Sequence, residues 1–81
     1  MPELRESLAE LVRLMVDYPD EVEVDQFMDG DETVFELFVA QDDLGKVIGR
    51  KGRTARALRT LLDARGALED RLYDLEIVDD D

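Results

Sequence analysis

Two glycines three residues apart lie in the middle of the segment Gly45-Lys46-Val47-Ile48-Gly49-Arg50-Lys51-Gly52-Arg53-Thr54. Glycine lets a backbone turn tightly and present its amide N–H groups without obstruction by a side chain. Such a turn attracts phosphate, and the N-terminus of a following helix adds partial positive charge. Arg50 and Lys51 add two full charges at the tip. The segment therefore predicts a phosphate-binding loop.

Two other phosphate-binding loops are excluded by their register. A Walker loop, G-x-x-x-x-G-K-[ST], ends in a pattern that Gly52-Arg53-Thr54 imitates, but its first glycine would have to stand at Val47. A dinucleotide fingerprint, G-x-G-x-x-G, that ends at Gly52 also requires glycine at Val47. The loop therefore fits neither kind of nucleotide site.

A helix is predicted on each side of the loop. Asp42 and Asp43 can cap the first helix, in which apolar residues share a face and which Gly49 ends. The second is predicted from Arg53 to Arg65, with Gly66 as its C-terminal cap. In an arbitrary helix, a row of arginines would be interpreted as an ordinary solvated face. Here the basic face directly follows the cationic loop, so loop and face are predicted to form one continuous basic track. The basic and apolar faces of this helix consist of Arg53, Arg56 and Arg59, and of Leu58, Leu61 and Leu62.

The chain before the loop predicts a helix and a β-hairpin. Apolar residues at helical spacing predict an amphipathic helix over residues 1–18, because Pro2 suits a first turn and Pro19 prevents continuation. Period-two alternation over residues 21–25, the turn signal Asp29-Gly30 and a Val- and Phe-rich stretch then predict two antiparallel strands.

The chain after the second helix predicts a third strand, in which Tyr73, Leu75 and Ile77 alternate with acidic residues. Residues 79–81 form an acidic tail. The predicted order is α-β-β-α-α-β, an α+β fold. We expect residues 1–81 to form a single domain with residues 43–65 as its helix-loop-helix core.

The second strand carries apolar residues on both faces. Phe35 and Leu37 can face the helices, which leaves Val34 and Phe38 on the other side of the sheet. An exposed apolar patch there would favour self-association. Local packing of the same residues against neighbouring strands is an equally good interpretation.

Charge is distributed unevenly along the 81 residues. The formal net charge is -12, which by itself argues against a polyanionic partner. Seven of the ten basic residues, however, lie between Leu44 and Arg65, where Asp63 is the single acid. A basic segment in an acidic protein is harder to explain as ordinary solvation than a uniform mixture of signs, and it favours a polyanionic partner. The alternative is chance clustering of bases in a chain rich in acids.

Several classes of function lack their usual residues. The chain contains no Cys and no His, and its carboxylate clusters lack the spacing of an EF-hand, so we expect no metal site, no cofactor and no enzymatic activity. No apolar stretch approaches the length of a membrane span, and the N-terminus lacks the pattern of a secretion signal. We expect a cytoplasmic protein with no membrane partner and no small-molecule substrate.

The apolar pair Val47-Ile48 followed by Gly49-Arg50-Lys51-Gly52 resembles the core signature of the KH family. The order of elements is similar to that of the bacterial (type II) KH fold. More narrowly, the segment from Leu44 to Arg59 resembles the KhpA family of small bacterial single KH-domain RNA-binding proteins, and this resemblance extends over nearly all 81 residues. This resemblance implies a three-stranded mixed sheet with three helices on one face.

The resemblance also implies a function and a site. In KH domains the G-x-x-G loop clamps the backbone of unpaired nucleotides while the bases lie in a narrow groove. Carried over by position, Gly49, Arg50, Lys51 and Gly52 form the clamp, Lys46 and Arg53 flank it, Val47 and Ile48 form part of the groove floor, and Arg56 and Arg59 extend the basic track.

The partners that the resemblance implies are single-stranded RNA, a second copy of the chain, and a larger KH-containing protein. The corresponding roles are those of an RNA chaperone or post-transcriptional regulator, connected with cell division or cell shape. The alternative is a protein-interaction or dimerisation module that acts with the larger partner. The sequence leaves both open.

Overall fold

The computed structural model describes residues 3–79, and its elements follow the order α-β-β-α-α-β, which confirms the predicted order. Short 3-10 turns precede β1, α2 and α3, at Pro19–Glu21, Gln41–Asp43 and Arg50–Gly52. Asp80 and Asp81 of the predicted acidic tail lie outside the described residues. The helices and strands are α1 (Leu4–Arg13), β1 (Glu23–Asp29), β2 (Glu32–Phe38), α2 (Leu44–Ile48), α3 (Arg53–Glu69) and β3 (Leu72–Ile77).

The three strands form a mixed sheet with β2 in the middle. β1 and β2 are antiparallel and pair Asp29 with Glu32 across a two-residue turn, whereas β2 and β3 are parallel. Gly30 has a φ of 64° in that turn, a value that glycine adopts without steric cost. The parallel pairing of β3 requires the long crossover that α2 and α3 provide.

The core lies between the helices and one face of the sheet. Phe35 and Leu37 from β2 and Leu75 from β3 are almost completely buried there, together with Val12 of α1 and Val47 of α2. Burial of each such side chain contributes about 1.5–3 kcal/mol. The core therefore holds α2 and α3, and the loop between them, against the sheet.

The opposite face of the sheet is acidic. By register, Asp25, Glu36 and Glu76 stand side by side in one row across the three strands. Like charges directly opposite each other destabilise a sheet. Seven carboxylates and no basic residue share this acidic sheet face: Glu23, Asp25, Asp29, Glu32, Glu36, Asp74 and Glu76.

The two apolar residues that the second strand places on the acidic sheet face differ in burial. Val34 is only 2% exposed and Phe38 is partly buried. Val34 lies at the centre of the middle strand, directly between Phe27 and Asp74. The interpretation as local packing is therefore the one that fits Val34.

The first helix is shorter than the predicted range of residues 1–18. It ends at Arg13, and Met1 and Pro2 lie outside the described residues. The backbone N–H groups of Asp17 and Tyr18 bond the carboxylate of Asp43, at 3.1 and 3.0 Å, instead of helix carbonyls. Pro19 additionally disfavours a helical conformation at Tyr18.

The third helix is longer than predicted. It continues through Gly66 to Glu69, and Asp70, with a φ of 55°, takes the left-handed position after it. The Arg71 N–H bonds the Gly66 carbonyl at 2.8 Å, which is the closing bond of a Schellman motif. Gly66 is therefore an interior residue of the helix. A Cβ at this position would collide with the Arg71 carbonyl, so the helix needs glycine there for close packing.

No helix within residues 3–79 is both long enough and apolar enough to span a membrane.

Candidate nucleic-acid interface

The loop between α2 and α3 is a tight turn built from unusual backbone conformations. Gly49 has φ 78° and ψ 168°, a combination that is essentially restricted to glycine. Lys51 and Gly52 follow in the left-handed region, with φ values of 57° and 73°. The Gly52 N–H bonds the Gly49 carbonyl at 3.0 Å. The two helices are therefore separated by a true turn.

The two glycines are needed for different reasons. A Cβ at Gly49 would meet the side chain of Thr54, and it would lie 2.8 Å from the Thr54 backbone nitrogen. Nothing lies within 4 Å of a Cβ at Gly52, so only its positive φ favours glycine. The first glycine permits close contact between the loop and the start of α3, and the second permits the turn.

Lys51 has a left-handed backbone although it is not a glycine. This conformation is uncommon for a side chain of its type and occurs often at functional sites. Arg56, one turn into α3, donates a hydrogen bond of 2.7 Å from Nη2 to the Lys51 carbonyl. Arg56 therefore braces the loop, a role that its place on the basic face did not reveal.

The tip of the loop is positively charged and open to solvent. Arg50, Lys51 and Arg53 are all exposed, and Arg53 is the first residue of α3. The first amides of α3 follow Arg50 and Lys51 directly in the chain, so the partial positive charge of the helix N-terminus adds to the full charges of the tip. This arrangement suits a phosphate group.

Lys46 forms an ion pair beside the loop. Its Nζ lies 3.0 Å from the Asp17 carboxylate, and the hydrogen bond to Asp17 raises the pKa of Lys46 above its ordinary value. Both side chains remain largely exposed, so the pair is weak. An RNA phosphate at Lys46 would have to compete with Asp17.

The apolar pair before the loop divides between core and surface. Val47 is completely buried, so its side chain supports the loop from below and has no surface to offer a ligand. Ile48 is 39% exposed and can form part of a groove floor. Of the two residues predicted to form the groove floor, only Ile48 therefore has exposed surface.

Arg59 points to the sheet. Its Nη2 donates a hydrogen bond of 3.2 Å to the Leu75 carbonyl of β3, which is an edge strand. The guanidinium therefore bridges α3 and β3, where the KH resemblance places the groove. Arg56 and Arg59 occupy one face of α3, yet the structure holds one at the loop and the other at the strand.

Arg65 belongs to a separate cluster. Its Nε donates to Glu69 at 3.0 Å, and the Tyr73 hydroxyl donates to the same carboxylate oxygen at 3.0 Å. The bond from Arg65 lowers the pKa of Glu69, and burial raises the pKa of Tyr73. This cluster fastens the end of α3 to β3, so Arg65 lies outside the basic track around the loop.

The predicted helix cap at Asp43 is wrong. It makes no side-chain cap for α2, and its fully buried carboxylate accepts the amides of Asp17 and Tyr18. The sequence offered no signal for this contact, because the partners lie 25 and 26 residues away. Asp43 joins the chain that follows α1 to the start of α2.

No group of three or more His, Cys, Asp or Glu side chains able to hold a metal ion occurs within the described part of the chain.

The element order and the G-x-x-G loop between α2 and α3 define a KH domain of the bacterial type. The sequence model of the KhpA/KhpB KH domain matches residues 5–77. The chain belongs to this family, as its resemblance predicted. The family is one of RNA-binding proteins and not one of enzymes.

Three curated relatives illustrate the similarity, and each is named RNA-binding protein KhpA. The chain is 48% identical over 69 residues to the relative from Borreliella burgdorferi, an alignment that covers 85% of this chain and 84% of that protein. It is 46% identical over 65 residues to the relative from Halalkalibacterium halodurans, with 80% and 86% covered. It is 38% identical over 77 residues to the relative from Chlamydia trachomatis, with 95% and 99% covered.

Proposed function

We propose that this protein binds single-stranded RNA and holds the sugar-phosphate backbone at the loop of residues 49–52. The geometry of that loop carries the proposal: a glycine turn at the start of a long helix, with Arg50 and Lys51 exposed at its tip. The names of the curated relatives support RNA as the polyanion.

The remaining site residues act around this clamp. Arg53 extends the positive charge along α3, Arg56 braces the loop, and Ile48 offers apolar surface beside it. Lys46 contributes charge in competition with Asp17, while Val47 acts from within the core. Arg59 bridges α3 and the edge strand.

The affinity depends mainly on phosphate contacts, because no aromatic side chain lies in the segment from Asp42 to Leu72 for a base to stack on. Neutralisation of two to four phosphates gives a slope of log K against log salt of roughly -1.4 to -2.8, at about -0.7 per phosphate. Binding is thus salt-sensitive and tolerant of sequence over most of its contacts.

A protein of this kind acts in the cytoplasm as an RNA chaperone or post-transcriptional regulator, in processes such as cell division and the control of cell shape.

The test is a double charge reversal at the tip, Arg50→Asp with Lys51→Asp. Neither substitution touches a glycine of the turn, so the fold is expected to persist, as checked by circular dichroism. Fluorescence anisotropy with a labelled eight-nucleotide RNA should show binding by the native protein and none by the variant.

A matched control makes the same change in net charge at exposed residues outside the loop, Arg13→Asp with Arg71→Asp. The control should reduce RNA affinity much less than the tip variant, because long-range repulsion is screened within about 10 Å at 0.1 M salt. Equal losses in the two variants would contradict a binding site at the loop.

A second candidate function is self-association, alone or in a heteromer with a larger KH-containing protein. It is favoured by an apolar cleft of about 120 Å³ between α1 and α3, at whose rim Leu11 is 40% and Leu61 59% exposed. The acidic sheet face is a poor alternative, since pairing two copies of it would bring like charges together. The cleft is lined by Leu4, Ser7, Leu8, Leu11, Leu58, Leu61 and Leu62.

Sedimentation of Leu11→Gln tests this candidate against Leu68→Gln, which changes a leucine that is 86% exposed and does not line the cleft. If two copies associate through the cleft, the native protein and Leu68→Gln sediment as dimers and Leu11→Gln as a monomer. A monomeric native protein would exclude association of two copies through the cleft.

A further inference from the structure

We propose that Arg59 reads a base of the bound RNA and gives the protein a preference for guanine over adenine. This inference rests on the proposed RNA binding and adds selectivity at one nucleotide. It separates Arg59 from Arg53 and Arg56, which act at the sugar-phosphate backbone.

The position of the guanidinium is the first observation. Val78 donates its N–H to Leu37 of β2, so the even-numbered residues of β3 direct their backbone groups toward β2. Leu75, an odd-numbered residue, directs its carbonyl to the open edge of the sheet, and Arg59 donates to that carbonyl. The guanidinium is therefore held beside an open strand edge, where backbone N–H and C=O groups are also available to a ligand.

The contrast with Arg56 is the second observation. Both arginines lie on one face of α3, and each is held by a hydrogen bond from Nη2 to a backbone carbonyl. Arg56 is held at Lys51, in the loop proposed to clamp phosphates, and Arg59 is held at Leu75 in β3. In a single strand whose phosphates lie at the loop, the bases extend away from those phosphates, so Arg59 is placed for a base contact and Arg56 for the backbone.

The chemistry of the guanidinium determines the choice of base. It has five N–H donors and no acceptor, and two of its edges each offer a pair of parallel donors. The bond to Leu75 uses one N–H of Nη2, and because Nη2 has one N–H on each of those edges, one two-donor edge remains intact. Guanine matches that edge with two adjacent acceptors, O6 and N7. Adenine presents a donor, its amino group, beside N7 and therefore fits poorly.

The experiment compares two labelled eight-nucleotide RNAs by fluorescence anisotropy, one containing only adenosine and one with a single central guanosine. The native protein should bind the guanosine RNA roughly fivefold more tightly or better, the range typical of a bidentate arginine contact with guanine. A third RNA with 7-deazaguanosine lacks the N7 acceptor and keeps only O6, so it should bind measurably more weakly than the guanosine RNA.

Two charge-conserving variants separate base reading from general attraction. Arg59→Lys keeps the charge but cannot offer two parallel donors, so the ratio of its affinities for the guanosine and adenosine RNAs should fall to about one. Arg56→Lys should retain the preference. Thermal melting by circular dichroism verifies that both variants are folded.

Each other outcome overturns the inference in a distinguishable way. Equal binding of the adenosine and guanosine RNAs by the native protein refutes reading by Arg59 while RNA binding stands. A preference that survives in Arg59→Lys, or that is undiminished with 7-deazaguanosine, does the same. Equal weakening of both RNAs in Arg59→Lys shows a backbone contact instead. Absence of binding to every RNA refutes the proposed function itself.

Discussion

The guanidinium of Arg56 donates a hydrogen bond of 2.7 Å to the backbone carbonyl of Lys51, whose own φ of 57° is unusual for a residue with a side chain. One basic residue thus holds another in the conformation that exposes it. The charge of Arg56 remains open to solvent, since only one of its five donors is used in this bond. Arg56 therefore both stabilises the backbone conformation of the loop and adds positive charge beside it.

Replacement of Arg56 by Gln should weaken RNA binding more than replacement of Arg53 by Gln. Each change removes one charge near the loop, but only the first removes the bond to Lys51. The additional loss in affinity should be roughly threefold to tenfold, the worth of one hydrogen bond. Anisotropy titrations give the affinities, and faster amide exchange at residues 50–52 in the Arg56 variant would reveal the loosened loop. Identical behaviour of the two variants would exclude the bracing role.

The two glycines should differ in their tolerance of alanine. Gly52→Ala should lower the free energy of unfolding by about 1 kcal/mol, the cost of a left-handed conformation for a residue with a Cβ. Gly49→Ala should cost more than about 2 kcal/mol, because its backbone region is essentially closed to other residues and the Cβ meets Thr54. Urea denaturation measures both values. The reverse order would be incompatible with the observed turn.

Asp43→Ala should destabilise the fold by about 3 kcal/mol or more, because two backbone N–H groups lose a charged acceptor. Asp43→Asn keeps one acceptor oxygen and should have an intermediate effect that can be measured even if the alanine variant does not fold. The neighbouring Asp42 is exposed, and Asp42→Ala should change the stability by no more than about 0.5 kcal/mol. Comparable urea midpoints for the variants at the two positions would show that the buried carboxylate is dispensable.

Neutralising the middle of the acidic row should stabilise the protein. Glu36 stands directly between Asp25 and Glu76, so Glu36→Gln relieves two like-charge contacts of about 0.2–1 kcal/mol each. The gain should vanish in 1 M salt, where the screening length is about 3 Å. Glu10→Gln, an exposed change on α1, is the control and should show no such gain. A gain for Glu36→Gln that persists at high salt would point to a cause other than charge repulsion.

Tyr73 should make stability depend on pH in the alkaline range. Burial and the hydrogen bond to Glu69 raise the pKa of its hydroxyl above the ordinary value of 10.0. A group with a raised pKa in the folded state contributes stability that is fully present below its unfolded pKa and is lost as the pH rises through the folded one. The Tyr73 ring centroid lies 5.6 Å from that of Phe35. Tyr73→Phe keeps this ring contact but removes the hydroxyl that titrates. The difference in stability between the native protein and this variant should be constant from pH 7 to 9 and shrink above pH 10, whereas a constant difference throughout would disprove the linkage.

The order of elements could be predicted because it depends on local patterns. The alternation in β3, the turn at Gly30 and the glycine loop are each written within a few residues of the chain, and the structure contains all three. The ends of the helices could not be predicted in this way. Gly66 is a good local stop signal, yet α3 passes through it because a cap at Asp70 and close packing against Arg71 favour a longer helix.

The candidate site was predicted in part for the same reason. The exposed charges at Arg50, Lys51 and Arg53 follow from a loop whose residues are consecutive in the chain. The separate placement of Arg56 and Arg59 does not, because a helical wheel assigns both to one face and cannot tell which backbone carbonyl each will reach.

By itself, the sequence determined a KH domain with a cationic glycine loop, since the backbone freedom of Gly49 and Gly52 and the charge of their neighbours are properties of adjacent residues. Only the tertiary structure decided that Asp43 is buried under Asp17 and Tyr18, that Val47 faces the core, and that Arg59 lies at the edge of β3. These outcomes depend on hydrogen bonds and packing between residues far apart in the chain, and such contacts come into existence only when the sheet and helices have assembled.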